Sequence, residues 1–177
     1  MKKINKYIQE RLHINKDIKS YNYHPKDKSE LKELIYKLIK ERGNKADLND
    51  IDTSQITNMD ELFHKSEFNG DISNWNVSNV KDMSSMFEAS KFNGDISEWD
   101  VSNVKDMYSM FYGSSFNGDL SNWDVSNVKD MGYMFHDSSF TGENGDISNW
   151  DVRKVQSMNY MFTRSPLQKN PPKWYKN

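Results

Sequence analysis

The sequence predicts an α/β repeat solenoid, a short array of about five 24-residue coils with a helical cap at its N-terminal side. The first observation is a unit that begins FNGDIS at Phe68 and recurs with small changes from Phe92, Phe116 and Phe140. The second is that large apolar residues recur in register with it. They form a tryptophan column of Trp75, Trp99, Trp123 and Trp150 and a methionine column of Met83, Met107, Met131 and Met158. A single unit of this kind cannot bury its apolar face alone, so the units are expected to stack.

The predicted array covers residues 46–165. A degenerate copy at 46–63 precedes the first clear repeat and places Ile51 in the tryptophan column. Three extra residues precede Asp146 in the last copy and are expected to form a surface loop. The atypical first and last copies are those expected at the ends of a repeat array.

Residues 1–45 form a basic N-terminal segment. Ile4, Ile8 and Leu12 permit a short amphipathic helix, and 18–23 alternates enough for a short strand. A clearer helix is predicted at 27–42, where the apolar residues follow helical spacing. Asp27 is its expected N-cap, and Gly43 follows its end. The apolar stripe of this helix is expected to cover the open end of the array.

Each repeat is predicted to contain one short strand and one short helix. In the first clear repeat the strand is expected at 75–80, and Asp82 is expected to cap a helix at 83–89. The Asn-Gly-Asp run at 69–71 has turn chemistry. The residues expected to point inward are Phe68, Ile72, Trp75, Val77, Val80, Met83, Met86 and Phe87.

Residues 166–177 form a proline-rich C-terminal cap that cannot continue the repeat. Trp174 is expected to fold over the last coil and shield its edge. The alternative is that this segment is a Pro-aromatic ligand motif for a partner.

Composition limits the classes of function. The chain has 177 residues, a net charge of -2 and no Cys, which excludes disulfides and thiolate metal sites. It has neither an apolar stretch long enough to span a membrane nor the apolar region of a signal peptide, which predicts a cytoplasmic location. Net charge is +7 over 1–45, -12 over 46–165 and +3 over 166–177. Nucleic acid is therefore expected to associate, if at all, only with the basic N-terminal segment.

The repeat consensus I-S-N-W-D-V-S-N-V-K-D-M-x-x-M-F resembles the BspA-like leucine-rich repeats of bacterial surface proteins, which are also abundant in mycoplasma-type repeat proteins. The resemblance covers about residues 46–165. It implies a leucine-rich-repeat-like solenoid and a role in adhesion or protein binding.

No catalytic, cofactor or metal site is predicted. The common nucleophile, phosphate-binding and zinc motifs are missing from the sequence, and His64 and His136 share a column but lie three coils apart, about 14 Å. Two aspartate columns could form a calcium ladder, but turn and cap hydrogen bonds are the favoured interpretation. They comprise Asp71, Asp95, Asp119 and Asp146 in one column and Asp82, Asp106 and Asp130 in the other.

Columns that vary between repeats are free to carry function. On the predicted short helices they place Tyr108, Tyr112, Tyr133, His136 and Tyr160 on one face. The rim of this face is expected to contain Glu88, Asp137 and Arg164. An exposed aromatic patch favours a binding site, although the tyrosines could merely decorate a polar face.

The resulting functional hypothesis is a non-enzymatic protein that binds a partner protein and acts by occlusion or scaffolding. An inhibitor of a host factor, encoded by a bacterium or a phage, is one such use. The first alternative is an adhesin-type module of a bacterial surface protein. The second is a nucleic-acid-associated protein that uses its basic N-terminal segment.

Overall fold

A computed structural model describes residues 21–176. It contains one α-helix, α1 (Lys28–Arg42), and one 3₁₀ helix, Pro166–Gln168. Elsewhere in this range the chain consists of turns, bends and isolated β-bridges, without a strand. The predicted fold class, an α/β repeat solenoid of five coils with a strand and a helix in each, is therefore wrong. The segment 83–89, predicted as a helix, is a run of turns, and 75–80, predicted as a strand, is irregular chain with one turn at 78–79.

Successive repeats nevertheless lie against each other and are joined by backbone hydrogen bonds between equivalent positions. Isolated parallel bridges link Asp82 to Asp106 and Asp106 to Asp130. The N–H of Lys105 donates to the carbonyl of Lys81 at 2.8 Å, and Lys129 donates to Lys105 at the same distance. The pairing is too short and too interrupted to form strands, because the backbone turns again within a few residues on either side.

The segment 83–89 shows why the predicted helix does not form. The N–H groups of Met83, Ser85, Phe87 and Ala89 donate to carbonyls of the next repeat, 2.7 to 2.9 Å away. The N–H groups of Met86 and Glu88 donate to carbonyls three residues back along the chain, and that of Ser84 donates to the side chain of Asp82. An α-helix requires every N–H to bond four residues back. Here alternate donors are committed to the neighbouring repeat, so the segment becomes a series of β-turns.

These turns place two positions of each repeat in the left-handed region. Their φ values are 52° at Ser85, 53° at Ala89 and 61° at Gly113. Left-handed backbone costs a residue with a Cβ about 1 to 2 kcal/mol. The non-glycine residues in this conformation are Glu61, Lys65, Ser85, Ala89, Ser109, Tyr133, Asp137, Tyr160 and Arg164.

The core consists of aromatic columns that run through the stacked repeats. All eight residues predicted to point inward are buried, which confirms that part of the interpretation. Phe87 stacks on Phe111 with centroids 5.6 Å apart, and Trp75 stacks on Trp99 at 6.5 Å. The indole N–H of Trp99 donates to the carbonyl of Ile72 at 3.2 Å. The same bond recurs from Trp75 to Leu48, Trp123 to Ile96 and Trp150 to Leu120.

The glycine of the Asn-Gly-Asp run at 69–71 is required by a close backbone approach. A Cβ added to Gly70 would lie 2.1 Å from the carbonyl oxygen of Ala46 in the preceding copy. The side chain of Asp71 accepts the N–H of Ser73 at 2.9 Å, at the start of the turn that follows. The turn predicted at 69–71 is therefore misplaced, because Gly70 lies in a bend, Asp71 forms a β-bridge with Asp47 and the turn follows at 73–74. The close approach to Ala46 is the steric reason for the glycine.

Helix α1 closes the N-terminal side, as predicted. Asp27 accepts the N–H of Glu30 at 3.0 Å, and Gly43, with φ of 86°, donates to Ile39. Its buried face packs into the same core as the first copy of the repeat. An ion pair between Lys28 and Asp60 fixes one end of the helix on that copy.

Trp174 covers the opposite side of the core, as the sequence predicts. Its indole N–H donates to the carbonyl of Ile147 at 2.9 Å, and its ring stacks on Trp150 at 6.1 Å. Trp174 therefore continues the tryptophan column although it lies outside the repeats. Its indole packs against the core, whereas the ligand-motif alternative requires it to be free for a partner.

The predicted helix around Ile4, Ile8 and Leu12 and most of the predicted strand at 18–23 lie outside the described residues. Within the described part, Tyr23 forms a parallel bridge with Ile51. The division into 1–45, 46–165 and 166–177 stays a prediction.

Candidate functional site

The five aromatic side chains predicted to share a face lie together, and we call them the aromatic cluster. Tyr133 is at its centre. The centroid of its ring lies 5.7 Å from Tyr108, 6.5 Å from Tyr112, 5.4 Å from His136 and 5.2 Å from Tyr160. Tyr112 and His136 also stack in parallel at 4.9 Å. The cluster thus extends continuously over three successive repeats.

The cluster has an accessible outer part and a buried base. Tyr108 is 42% exposed and Tyr160 is 54% exposed. Tyr112 and Tyr133 are half-buried, and His136 is buried. Mutual contact holds the rings in place, so little side-chain entropy remains to be lost when another surface packs on them.

Strained backbone positions two of these rings. Tyr133 and Tyr160 occupy one of the left-handed columns, with φ of 58° and 56°. The N–H of Tyr133 donates to the carbonyl of Asn159 at 2.9 Å, which ties its position to the next repeat. The sequence prediction placed these rings on one face of short helices. That reason is wrong, since turns and not helices bring the variable columns together.

Two of the three predicted rim residues form an ion pair beside the cluster. Arg164 donates to Asp137, which raises the pKa of the guanidinium. Asp137 also lies 3.3 Å from Nδ1 of His136. The third residue, Glu88, accepts the hydroxyl of Ser85 at 2.6 Å and is turned toward His64, with 3.9 Å between its Oε2 and the imidazole Nδ1. Glu88 therefore belongs to the neighbouring surface.

The aspartate columns are occupied by turn hydrogen bonds, as the sequence analysis favoured. Asp82 and Asp106 each accept the N–H two residues ahead at 2.9 Å, and Asp119 does so at 2.8 Å. Asp106 is flanked by Asp82 and Asp130, and burial together with these like charges raises its pKa. Among residues 21–176, no group of three or more His, Cys, Asp or Glu side chains is arranged to hold a metal ion.

A second accessible feature was missed in the sequence analysis. Tyr36 is 73% exposed on α1, beside a groove of about 430 Å³ between the helix and the first copy of the repeat. Ile35, Leu62 and Phe63 line this groove, and so does His64, whose Nδ1 is buried without a hydrogen-bond partner. The signal in the sequence was the position of Tyr36 outside the apolar stripe of the helix.

Comparison with known proteins gives one family. The model of a family described as "Mycoplasma protein of unknown function, DUF285" matches residues 29–141 and 113–175. Neither the curated proteins nor the solved structures contain a match to the chain. Over the part of the chain that the structure covers, no helix has the length and apolarity to cross a membrane.

Proposed function

We propose that the chain, which belongs to the DUF285 family of mycoplasma proteins, is a non-enzymatic protein that binds a partner protein through the aromatic cluster. The observation that carries the proposal is the arrangement of four rings around Tyr133, with Tyr108 and Tyr160 about half exposed. Tyrosine is enriched at binding hot spots because its ring buries apolar area and its hydroxyl supplies a hydrogen bond.

The cluster supports binding by a preformed surface. Three tyrosine rings lie beside Tyr133, and the buried ring of His136 lies at the base of the cluster. A partner that packs on such a surface loses little free energy to ordering of the tyrosines. The ion pair of Arg164 with Asp137 supplies a polar rim beside the apolar centre, which is the usual anatomy of a protein interface. A preformed surface of this kind supports a mechanism of occlusion or scaffolding of the partner.

The resemblance to BspA-like repeats supports the same general role. In this proposal the repeats form the support and the variable columns select the partner. Inhibition of a host factor would be one consequence of occlusion. An adhesin-type module would use the same surface with a partner outside the cell, so the aromatic cluster supports both uses.

The test compares two sets of tyrosine variants. In the first, Tyr108→Ala, Tyr112→Ala and Tyr133→Ala are combined, which removes the centre of the cluster. In the second, Tyr108→Ser and Tyr160→Ser change only the two most exposed rings and are expected to leave the fold intact. Tyr36→Ser is the matched control, because this tyrosine is also exposed but lies on α1.

The measurement is affinity capture from host extract, followed by titration with the identified partner. We expect both cluster variants to lose the partner and the Tyr36→Ser variant to keep it. Truncation of a hot-spot tyrosine costs about 2 kcal/mol or more, which corresponds to roughly a thirtyfold loss of affinity for one ring. A folded Tyr108→Ser, Tyr160→Ser variant that binds every partner with unchanged affinity would show that the cluster is not the site.

A further inference from the structure

The chain contains the pair Asn-Gly four times, at 69–70, 93–94, 117–118 and 144–145. An asparagine followed by glycine can modify itself, because a residue without a side chain leaves the next backbone nitrogen open to the side-chain carbonyl carbon. Three of the pairs lie in regular repeats, and the fourth lies in the last copy, which carries three extra residues before Asp146. The structure gives this fourth pair a different environment from the others.

The asparagines of the three regular pairs form a ladder of hydrogen bonds between repeats. The Oδ1 of Asn69 accepts the N–H of Asn93 at 3.0 Å, and the Oδ1 of Asn93 accepts the N–H of Asn117 at 2.7 Å. The Oδ1 of Asn117 accepts the N–H of Thr141 at 2.8 Å. Each carboxamide of the ladder is therefore fixed on the next repeat, and its carbon can turn toward the following backbone nitrogen only when that bond breaks.

Asn144 lies outside this ladder. Thr141 takes the ladder position of the last copy, since it follows Phe140 as Asn117 follows Phe116. The side chain of Asn144 is exposed, and its Nδ2 donates to the backbone carbonyl of Asn117. Among residues 21–176, neither its Oδ1 nor its backbone N–H has a hydrogen-bond partner. The carboxamide of Asn144 is thus held by one bond at an accessible surface.

The glycine that follows Asn144 keeps the backbone nitrogen open. Within the described part of the chain the N–H of Gly145 has no acceptor, which is also true of Gly70, Gly94 and Gly118. The nucleophile is therefore equally free in all of the pairs, and the state of the carboxamide distinguishes them. A Cβ at position 145 would lie 2.0 Å from the Oδ1 of Asp119, so the fold requires glycine there.

From these differences we propose that Asn144 is a site of spontaneous deamidation, a modification that the ladder asparagines resist. The nitrogen of Gly145 loses its proton to water or hydroxide and attacks Cγ of Asn144. A C–N bond forms, and the side-chain nitrogen leaves as ammonia. Water then opens the cyclic imide at either of its carbonyls, which gives aspartate or isoaspartate. Water is the only co-reactant, and it reaches the imide from the exposed side of Asn144.

The modification changes how the last copy of the repeat is held. The amide of Asn144 donates to the carbonyl of Asn117, whereas an ionised carboxylate has no hydrogen to donate. The new negative charge also lies close in sequence to Glu143 and Asp146, which are both exposed. Deamidation therefore removes one link between the last two copies and makes their shared surface more acidic.

A time course of the full chain in mildly alkaline buffer tests the proposal. Cleavage after lysine and arginine places the four pairs in four different peptides, and mass spectrometry of each peptide reports conversion of an amide to an acid. Aspartate and isoaspartate products are separated by chromatography. We expect Asn144 to react about tenfold faster than Asn93, because the ladder bonds of Asn93 must break before its carboxamide reaches the attack geometry.

Two controls separate the fold from the local sequence. In urea the ladder is lost, and the four pairs are expected to react at similar rates. Asn144→Gln keeps an amide but closes a larger ring much more slowly, so no conversion is expected at this position and the other pairs should be unaffected. Equal rates for all pairs in the folded chain, faster conversion of Asn93 or Asn117, or an Asn144 that reacts only in urea would each overturn the proposal.

Discussion

Exchange of the residues at two left-handed positions is expected to change stability in opposite directions. Ala89 and Gly113 occupy equivalent positions in successive repeats, with φ of 53° and 61°. The perturbations are Ala89→Gly, which removes a Cβ from a left-handed residue, and Gly113→Ala, which adds one. The two changes are chemically inverse and occur in the same structural environment.

The structure separates backbone strain from steric clash at these positions. A Cβ added to Gly113 would find its nearest atom, the Cα of Ala89, 3.9 Å away, which is ordinary contact. The penalty for Gly113→Ala is therefore the left-handed conformation itself, about 1 to 2 kcal/mol. Alanine also restricts the unfolded chain and returns about 0.4 to 1 kcal/mol. We expect a net loss of about 0.5 to 1 kcal/mol, and a similar gain for Ala89→Gly.

Urea unfolding followed by tryptophan fluorescence measures both changes. We expect the transition midpoint to move down for Gly113→Ala and up for Ala89→Gly, with an unchanged slope. Ser121→Gly, at an exposed residue without positive φ, is the control and should destabilise the protein. If Ala89→Gly destabilises as much as the control does, the left-handed turns described for 83–89 do not carry the predicted strain.

Three further perturbations test the core, the acidic column and Gly70. Trp99→Phe keeps an aromatic ring but loses the hydrogen bond from the indole to the carbonyl of Ile72. We therefore expect its free energy of unfolding in urea to fall by about 1 to 3 kcal/mol. For Trp99→Ala we expect a fall of about 3 to 5 kcal/mol. Asp106 has a raised pKa in the folded state, so its contribution to the stability of the protein falls as the pH rises above 3.8, the ordinary pKa of an aspartate. Asp106→Asn should therefore be more stable than wild type at neutral pH, and unfolding curves at several pH values should show this gap closing below 3.8. Gly70→Ala is expected to destabilise strongly, because its Cβ would overlap the carbonyl of Ala46, and unchanged thermal unfolding would contradict that contact.

A fall in pH is also expected to lower the stability of the protein through the turn aspartates, which is the opposite of its effect through Asp106. Hydrogen bonds from the N–H groups and hydroxyls two residues ahead lower the pKa of Asp71, Asp119 and Asp124. Their stabilising contribution is present above the ordinary pKa and is lost as pH falls through the lowered one. Comparison of Asp106→Asn with wild type at each pH separates the effect of Asp106 from this loss of stability, because both proteins contain the same turn aspartates.

Periodicity in the sequence predicted which residues are buried and which variable residues meet. The registers of Trp75 and Phe87 placed both in the core, and the variable columns brought Tyr108, Tyr133 and Tyr160 into one cluster. Such predictions need only the repeat length, because equivalent residues of stacked units lie one above another whatever their secondary structure. The helix at Lys28–Arg42 was predicted for a different reason, since its cap and apolar spacing are local signals.

Secondary structure within the repeats depended on contacts that local sequence does not encode. Asp82 and the apolar spacing that follows it are compatible with a capped helix, and the chain instead forms turns there. The N–H groups of Ser85 and Ala89 find acceptors at Tyr108 and Tyr112, which lie 23 residues further along the chain. These bonds between repeats exclude the local helical ones and force left-handed backbone onto residues with no intrinsic preference for it. The sequence by itself determined the stacking register and the core, whereas the tertiary structure decided the backbone conformation within each repeat.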